Sequence, residues 1–115
     1  MTIIYKILSK NAWVAACQVG IFTGAEIDLA DGYIHFSAAE QVTETAARYF
    51  AGMADLLLVA VESERFGTAM KWEESRGGDL FPHLYGTLPT SDILWAKPLP
   101  LGDDGYHHFP SLGAR

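Results

Sequence analysis

The chain has 115 residues, half of them hydrophobic and 12% aromatic, enough apolar mass for one folded core without disulfides or a structural metal. Its 14 acidic and 8 basic residues give a formal charge of −6, and Lys6, Lys10, Arg48, Arg65, Lys71, Arg76, Lys97 and Arg115 stand singly. A clustered basic surface for nucleic acid is therefore not expected. Cys17 has no second cysteine to pair with, no window reaches the ~18 apolar residues of a membrane span, and MTIIYKILSK lacks a signal-peptide pattern, so a cytoplasmic location is expected.

Residues 2–8, TIIYKIL, are β-branched and apolar on both alternating faces, which predicts a strand buried on both sides. Ser9 suits a helix N-cap, and Trp13, Ala16 and Cys17 recur at helical spacing until Gly20, placing Cys17 in the core as an inert thiol. Residues 21–30 read as irregular. Asp31-Gly32 predicts a turn into a short strand at 33–36. Ser37 and Glu40 have capping-box spacing and open a helix whose face carries Val42, Thr45, Ala46, Tyr49 and Phe50, ending at Gly52. Residues 55–61, DLLLVAV, predict a central strand, and 69–74, AMKWEE, another. After Gly77-Gly78 comes LFPHLYG, and 91–101, SDILWAKPLPL, reads as a last strand stopped by Pro98 and Pro100. Two helices among five or six strands predict an α+β fold in a single domain over 1–115, with 102–115 as a C-terminal tail.

Two histidines carry the chemical interest. On a strand, His35 and Tyr33 share one face while Ile34 and Phe36 share the other. If Ile34 and Phe36 face the core, His35 looks into a cleft or solvent, with Ser37 on its side; the bland alternative is a histidine tied to a neighbouring carbonyl. His83 repeats the pattern with Tyr85 two residues on, and its bland reading is a solvated histidine on an edge strand opened by Pro82. Trp72 is expected in the core or a pocket wall, and Glu73, pointing away from it, puts a carboxylate on the opposite face. His107 and His108 are adjacent and point oppositely, so no metal site is expected. No G-x-S-x-G, G-x-x-x-x-G-K or G-x-G-x-x-G occurs, which leaves hydrolase, P-loop and Rossmann readings unsupported.

In order, IIYKIL, W-V-A-A, DGYIHFSAAEQVTETAARYF, DLLLVAV, KWEE and FPHLYG resemble the bacterial domain-of-unknown-function family 952 over residues 2–100. The resemblance implies an ADP-ribosyltransferase-like fold, with a split mixed sheet around a central cleft. Poly-ADP-ribosylating enzymes and RNA 2'-phosphotransferases of that fold place a histidine on a ribose hydroxyl from an early strand, where this chain has Lys6 after Tyr5. GYIHFS through Tyr49 is similar to their strand–helix unit that stacks nicotinamide. Where they carry a late-strand glutamate, FPHLYG offers His83, with Glu73 as a substitute. The implied function is binding of NAD or another nucleotide-like ligand in a cleft formed by Tyr5, Lys6, Tyr33, Ser37, Tyr49 and Tyr85, with His35, His83 and Glu73 as the catalytic candidates. The alternative is a non-catalytic module for a metabolite or a protein.

Overall fold

The computed structural model describes residues 1–112, apart from the side chain of Arg76; the end of the expected 102–115 tail lies outside the described residues. In chain order the elements are β1 (Ile3–Ser9), α1 (Lys10–Val19), β2 (Ile21–Phe22), α2 (Glu26–Asp31), β3 (Ile34–His35), β4 (Ser37–Ala38), α3 (Ala39–Tyr49), β5 (Leu56–Glu62), β6 (Met70–Glu74), β7 (Leu80–Leu84), β8 (Leu88–Pro89) and β9 (Trp95–Leu99). Two 3-10 segments, Ser63–Ala69 and Arg76–Gly78, flank β6. The expected α+β class holds.

Strands β4-β1-β5-β9 form a four-stranded sheet, β3-β7-β6 a three-stranded sheet, and β2-β8 a small ribbon. All pairings among these strands are antiparallel, so the mixed sheet expected from sequence is corrected. Only β6 and β7 pair as consecutive strands; the other pairs join strands far apart in the chain.

The four-stranded sheet is buried on both faces, which explains the unbroken apolar runs of β1 and β5. Ile4, Leu8, Val59 and Val61 pack with Trp13 of α1 and with Ile34, Met70 and Leu84 of the three-stranded sheet. On the other face Tyr5, Ile7, Leu58 and Ala60 meet Val42 and Ala46 of α3. DLLLVAV is central as expected, lying between β1 and β9.

Several local expectations change. Residues 21–30 are not irregular: they hold β2 and α2, and Gly32 is the left-handed end of α2 (φ 89°), its N–H donating to the Asp28 carbonyl. Among the described residues there are thus three α-helices rather than two. Ser9 does cap α1, accepting from Ala12 N at 3.1 Å, and Gly20 ends it in the left-handed region. Cys17, however, is exposed, because α1 buries only the narrow stripe of Trp13 and Ala16.

The capping box of α3 is shifted by one residue. Ser37 is drawn into β4 opposite Tyr5, and it is Gln41 Oε1 that accepts from Ala38 N at 2.9 Å. The helix stops at Tyr49, before Gly52. Trp72 is 40% exposed rather than core, and the pocket-wall alternative holds, since it lines a surface recess with Glu40, Gln41, Glu44, Asp79 and Leu80. Pro98 lies inside β9, at a sheet edge where a missing N–H costs no ladder bond. His107 is buried against the Met53 carbonyl and His108 is exposed, as alternation requires.

Candidate functional site

The cleft arises where strand pairing stops. β4 pairs β1 only at Ile4 and Tyr5, leaving the edge of β1 from Lys6 onward without a neighbour on that side. A cavity of about 570 Å³ opens there, lined by Tyr5, Lys6 and Ile7 of β1, by Tyr33, His35, Phe36 and Ser37, by Thr45 and Tyr49 of α3, and by Phe81 and His83 of β7.

Its polar wall is one face of the three-stranded sheet. Alternation sends Ile34, Met70 and Leu84 into the core, and His35, Glu73, His83 and Tyr85 the other way. His35 and His83 are direct cross-strand partners. Their ring centroids are 5.5 Å apart, and Tyr33 stacks on His83 at 4.1 Å while lying 4.6 Å from His35. The edge-strand alternative for His83 is corrected, because β7 is the middle strand and its histidine is only 3% exposed.

Below this wall is a buried polar cluster that sequence reasoning missed. Asp28, on α2, is 2% exposed. Its carboxylate accepts from Lys6 Nζ (3.0 Å to Oδ2), from Ala25 N (2.8 Å) and from His35 N (3.1 Å), and lies 2.6 Å from His35 Nδ1. Lys6 also donates to the His35 carbonyl at 3.0 Å. Burial alone would raise the Asp28 pKa, but the His35 hydrogen bond, the Lys6 charge and the two N–H donors outweigh it and hold the carboxyl at about 2. Burial pulls the Lys6 ammonium below the usual lysine range, against the charge and hydrogen bond of Asp28. The only signal in the sequence is the pair Asp28 and Asp31 before Gly32, and it becomes readable only with α2 in place.

Gly24 protects this cluster. It has φ +124°, and a Cβ there would lie 2.9 Å from Asp28 Cβ. Gly24→Ala should therefore lower stability by at least about 1 kcal/mol, read from a denaturant midpoint; an unchanged midpoint would refute the close approach.

Both nitrogens of His35 are taken, Nδ1 by Asp28 and Nε2 by Asp31 Oδ2 at 2.9 Å. The Nδ1 of His83 lies 2.8 Å from Glu73 Oε1, which also accepts from the Tyr85 hydroxyl at 2.8 Å. Hydrogen bonds from His83 and Tyr85 hold the Glu73 carboxyl below the usual range, and the same bond to Glu73 raises the Tyr85 phenol. Burial, helped by the charges of Asp31 and Glu73, raises the Tyr33 phenol.

Of the residues singled out from sequence, Tyr5, Lys6, Tyr33, His35, Ser37, Tyr49 and His83 line the cleft together, whereas Glu73 and Tyr85 stand behind His83. Some of the polar atoms are already engaged. The Tyr5 hydroxyl donates to the Leu112 carbonyl at 2.8 Å, Lys6 is ion-paired, and the Ser37 hydroxyl lies 3.1 Å from Thr45 Oγ1. Tyr49 stands at the rim, 61% exposed. Among the described residues no group of three His, Cys, Asp or Glu side chains is placed to hold a metal ion, and no helix is long and apolar enough to cross a membrane.

Comparison with known proteins places the chain. A family model described as "Protein of unknown function (DUF952)" matches residues 7–96, and the chain belongs to that family. The crystal structure of protein CC0527 from Caulobacter crescentus is similar, with 52% identity, a TM-score of 0.90, and 93% of this chain and 94% of that chain covered. The solution structure of CC0527 gives 54% identity and a TM-score of 0.84, covering 92% and 91%. Among curated proteins none matches.

Proposed function

We propose that this DUF952 chain binds a nucleotide-like ligand in the cleft, with NAD as the first candidate, on an ADP-ribosyltransferase-like fold. The observation that carries the reading is the cross-strand His35–His83 pair, stacked by Tyr33 along a cavity of about 570 Å³. That volume suits a small ligand with a few convergent polar groups on a mostly aromatic wall. The open edge of β1 beside a divided sheet supports the fold assignment. Tyr49 at the rim and Tyr33 in the wall offer faces for a flat ring, while the His83 imidazole meets a ribose oxygen.

Calorimetry of the purified chain with NAD, ADP-ribose and related nucleotides tests this, with binding heat and a raised melting temperature expected. No heat and no thermal shift at millimolar ligand would sink it.

One observation favours a second reading, a module that binds without reacting. Glu73, the carboxylate that transfer would need, is engaged by His83 and Tyr85 and is not part of the cleft lining. Release of nicotinamide from NAD separates the two. A transferase liberates it and loses that turnover in Glu73→Gln while still binding, and a module liberates none.

A further inference from the structure

We infer that Glu73 and His83 form a dyad in which His83 Nε2 is the acceptor for a ligand hydroxyl, a sugar hydroxyl above all, while His35 only holds the wall. The ligand half of this inference rests on the reading above; the assignment of the two histidines does not.

The argument is one of hydrogen-bond capacity. An ionised carboxylate can only accept. Glu73 Oε1 already accepts from the Tyr85 hydroxyl and sits 2.8 Å from His83 Nδ1, so that nitrogen must carry the proton. In the neutral ring the other nitrogen, Nε2, then presents a lone pair. Nε2 has no hydrogen-bond partner among the described residues, and it is not among the buried polar atoms cut off from solvent. His83 is nevertheless 97% covered and lines the cleft, so the cleft is where that lone pair is reachable. Tyr33, stacked on the ring at 4.1 Å, fixes its plane.

His35 is built oppositely. Nδ1 faces Asp28 at 2.6 Å and Nε2 faces Asp31 at 2.9 Å. Both bonds are made only when both nitrogens carry hydrogen, which leaves this ring no acceptor for a ligand. The two histidines are cross-strand partners of one sheet, yet one is closed and the other open. A hydroxyl donates to the open one, whereas a carbonyl or unprotonated phosphate oxygen gains nothing there. Glu73 is thus a positioning residue that sets the tautomer.

Diethyl pyrocarbonate tests the assignment on the intact chain. An imidazole lone pair attacks a carbonyl carbon of the reagent, an N–C bond forms as the anhydride C–O bond breaks, and the departing ethyl carbonate takes up the proton the acylated ring loses and falls apart to ethanol and carbon dioxide. Peptide mass mapping should show His83 modified and His35 protected, with exposed His108 reacting as the internal standard. Modification of His35 as fast as His83, or an untouched His83 beside a modified His108, overturns the proposal.

Long-range proton–nitrogen spectra give a second readout. His83 should appear as the Nδ1–H tautomer in the parent and in Glu73→Gln, which keeps an accepting oxygen, and as a mixture in Glu73→Ala. An Nε2–H ring in the parent overturns the dyad. With adenosine against its 2'- and 3'-deoxy analogues, removal of the hydroxyl that meets His83 should weaken binding about tenfold. Equal affinity for all three overturns the hydroxyl assignment. A selectively reactive His83 in a chain that binds no nucleoside supports the dyad and removes the nucleotide reading instead.

Discussion

Asp28→Ala should lower folding stability by about 3–5 kcal/mol, the largest effect of any single substitution around the cleft. The carboxylate is 2% exposed and receives Lys6, His35 and the Ala25 N–H at once. Removing it strands the Lys6 ammonium, itself 6% exposed, with the His35 carbonyl as its one remaining hydrogen-bond partner among the described residues. A buried charge without its partner loses solvation and gains nothing in return, and that imbalance sets the size of the effect.

The double variant Lys6→Met, Asp28→Ala should recover part of the loss, because no ammonium is then left behind. Urea denaturation of the two single variants and the double one measures the coupling. A loss below ~1 kcal/mol for Asp28→Ala would mean that the cluster is solvated rather than buried.

Acid should remove about 2 kcal/mol of stability through the same residue. Asp28 titrates at about 2 in the fold against an ordinary value of 3.8. A depressed folded pKa means that the unfolded chain takes up the proton first as pH drops. The Asp28 contribution is therefore full above pH ~4 and fades as pH falls through ~2. Thermal melts between pH 5 and pH 2 should show a declining midpoint in the parent. Asp28→Asn, already uncharged at that position, should show a shallower decline. Parallel declines would assign the acid sensitivity to other carboxylates.

How much of this was legible in the chain depends on the range of the interactions concerned. The alternation Tyr33, Ile34, His35, Phe36 already separated a core face from a cleft face, and Ile34 and Phe36 are buried as that pattern requires. Ser9 and Gly20 mark α1 because caps are made within a few residues. The start of α3 lies one residue beyond the one predicted from Ser37 and Glu40, with Ala38 and Gln41 in the places expected of those two. Pairing of Ser37 with Tyr5, 32 positions earlier in the chain, sets that shift. Residue type alone left Trp72 between the core and a pocket wall, and the packing of β6 beside α3 and β7 decided for the wall.

The sequence by itself determined the strand and helix chemistry, the central place of DLLLVAV, and the orientation of His35, because each is set by periodicity and local hydrogen bonding. Only the tertiary structure decided what the two histidines can do. Lys6 lies 22 positions before Asp28, which is itself seven before His35, and the three form one buried charge cluster once α2 and β3 fold against β1. The register of β3 against β7 puts His35 beside His83, and β6 brings Glu73 to the latter alone. Hydrogen-bond capacity is used up by partners that only the folded α2 and β6 bring to each ring, so two histidines, each two residues from a tyrosine, end with one imidazole closed by carboxylates and the other open to the cleft.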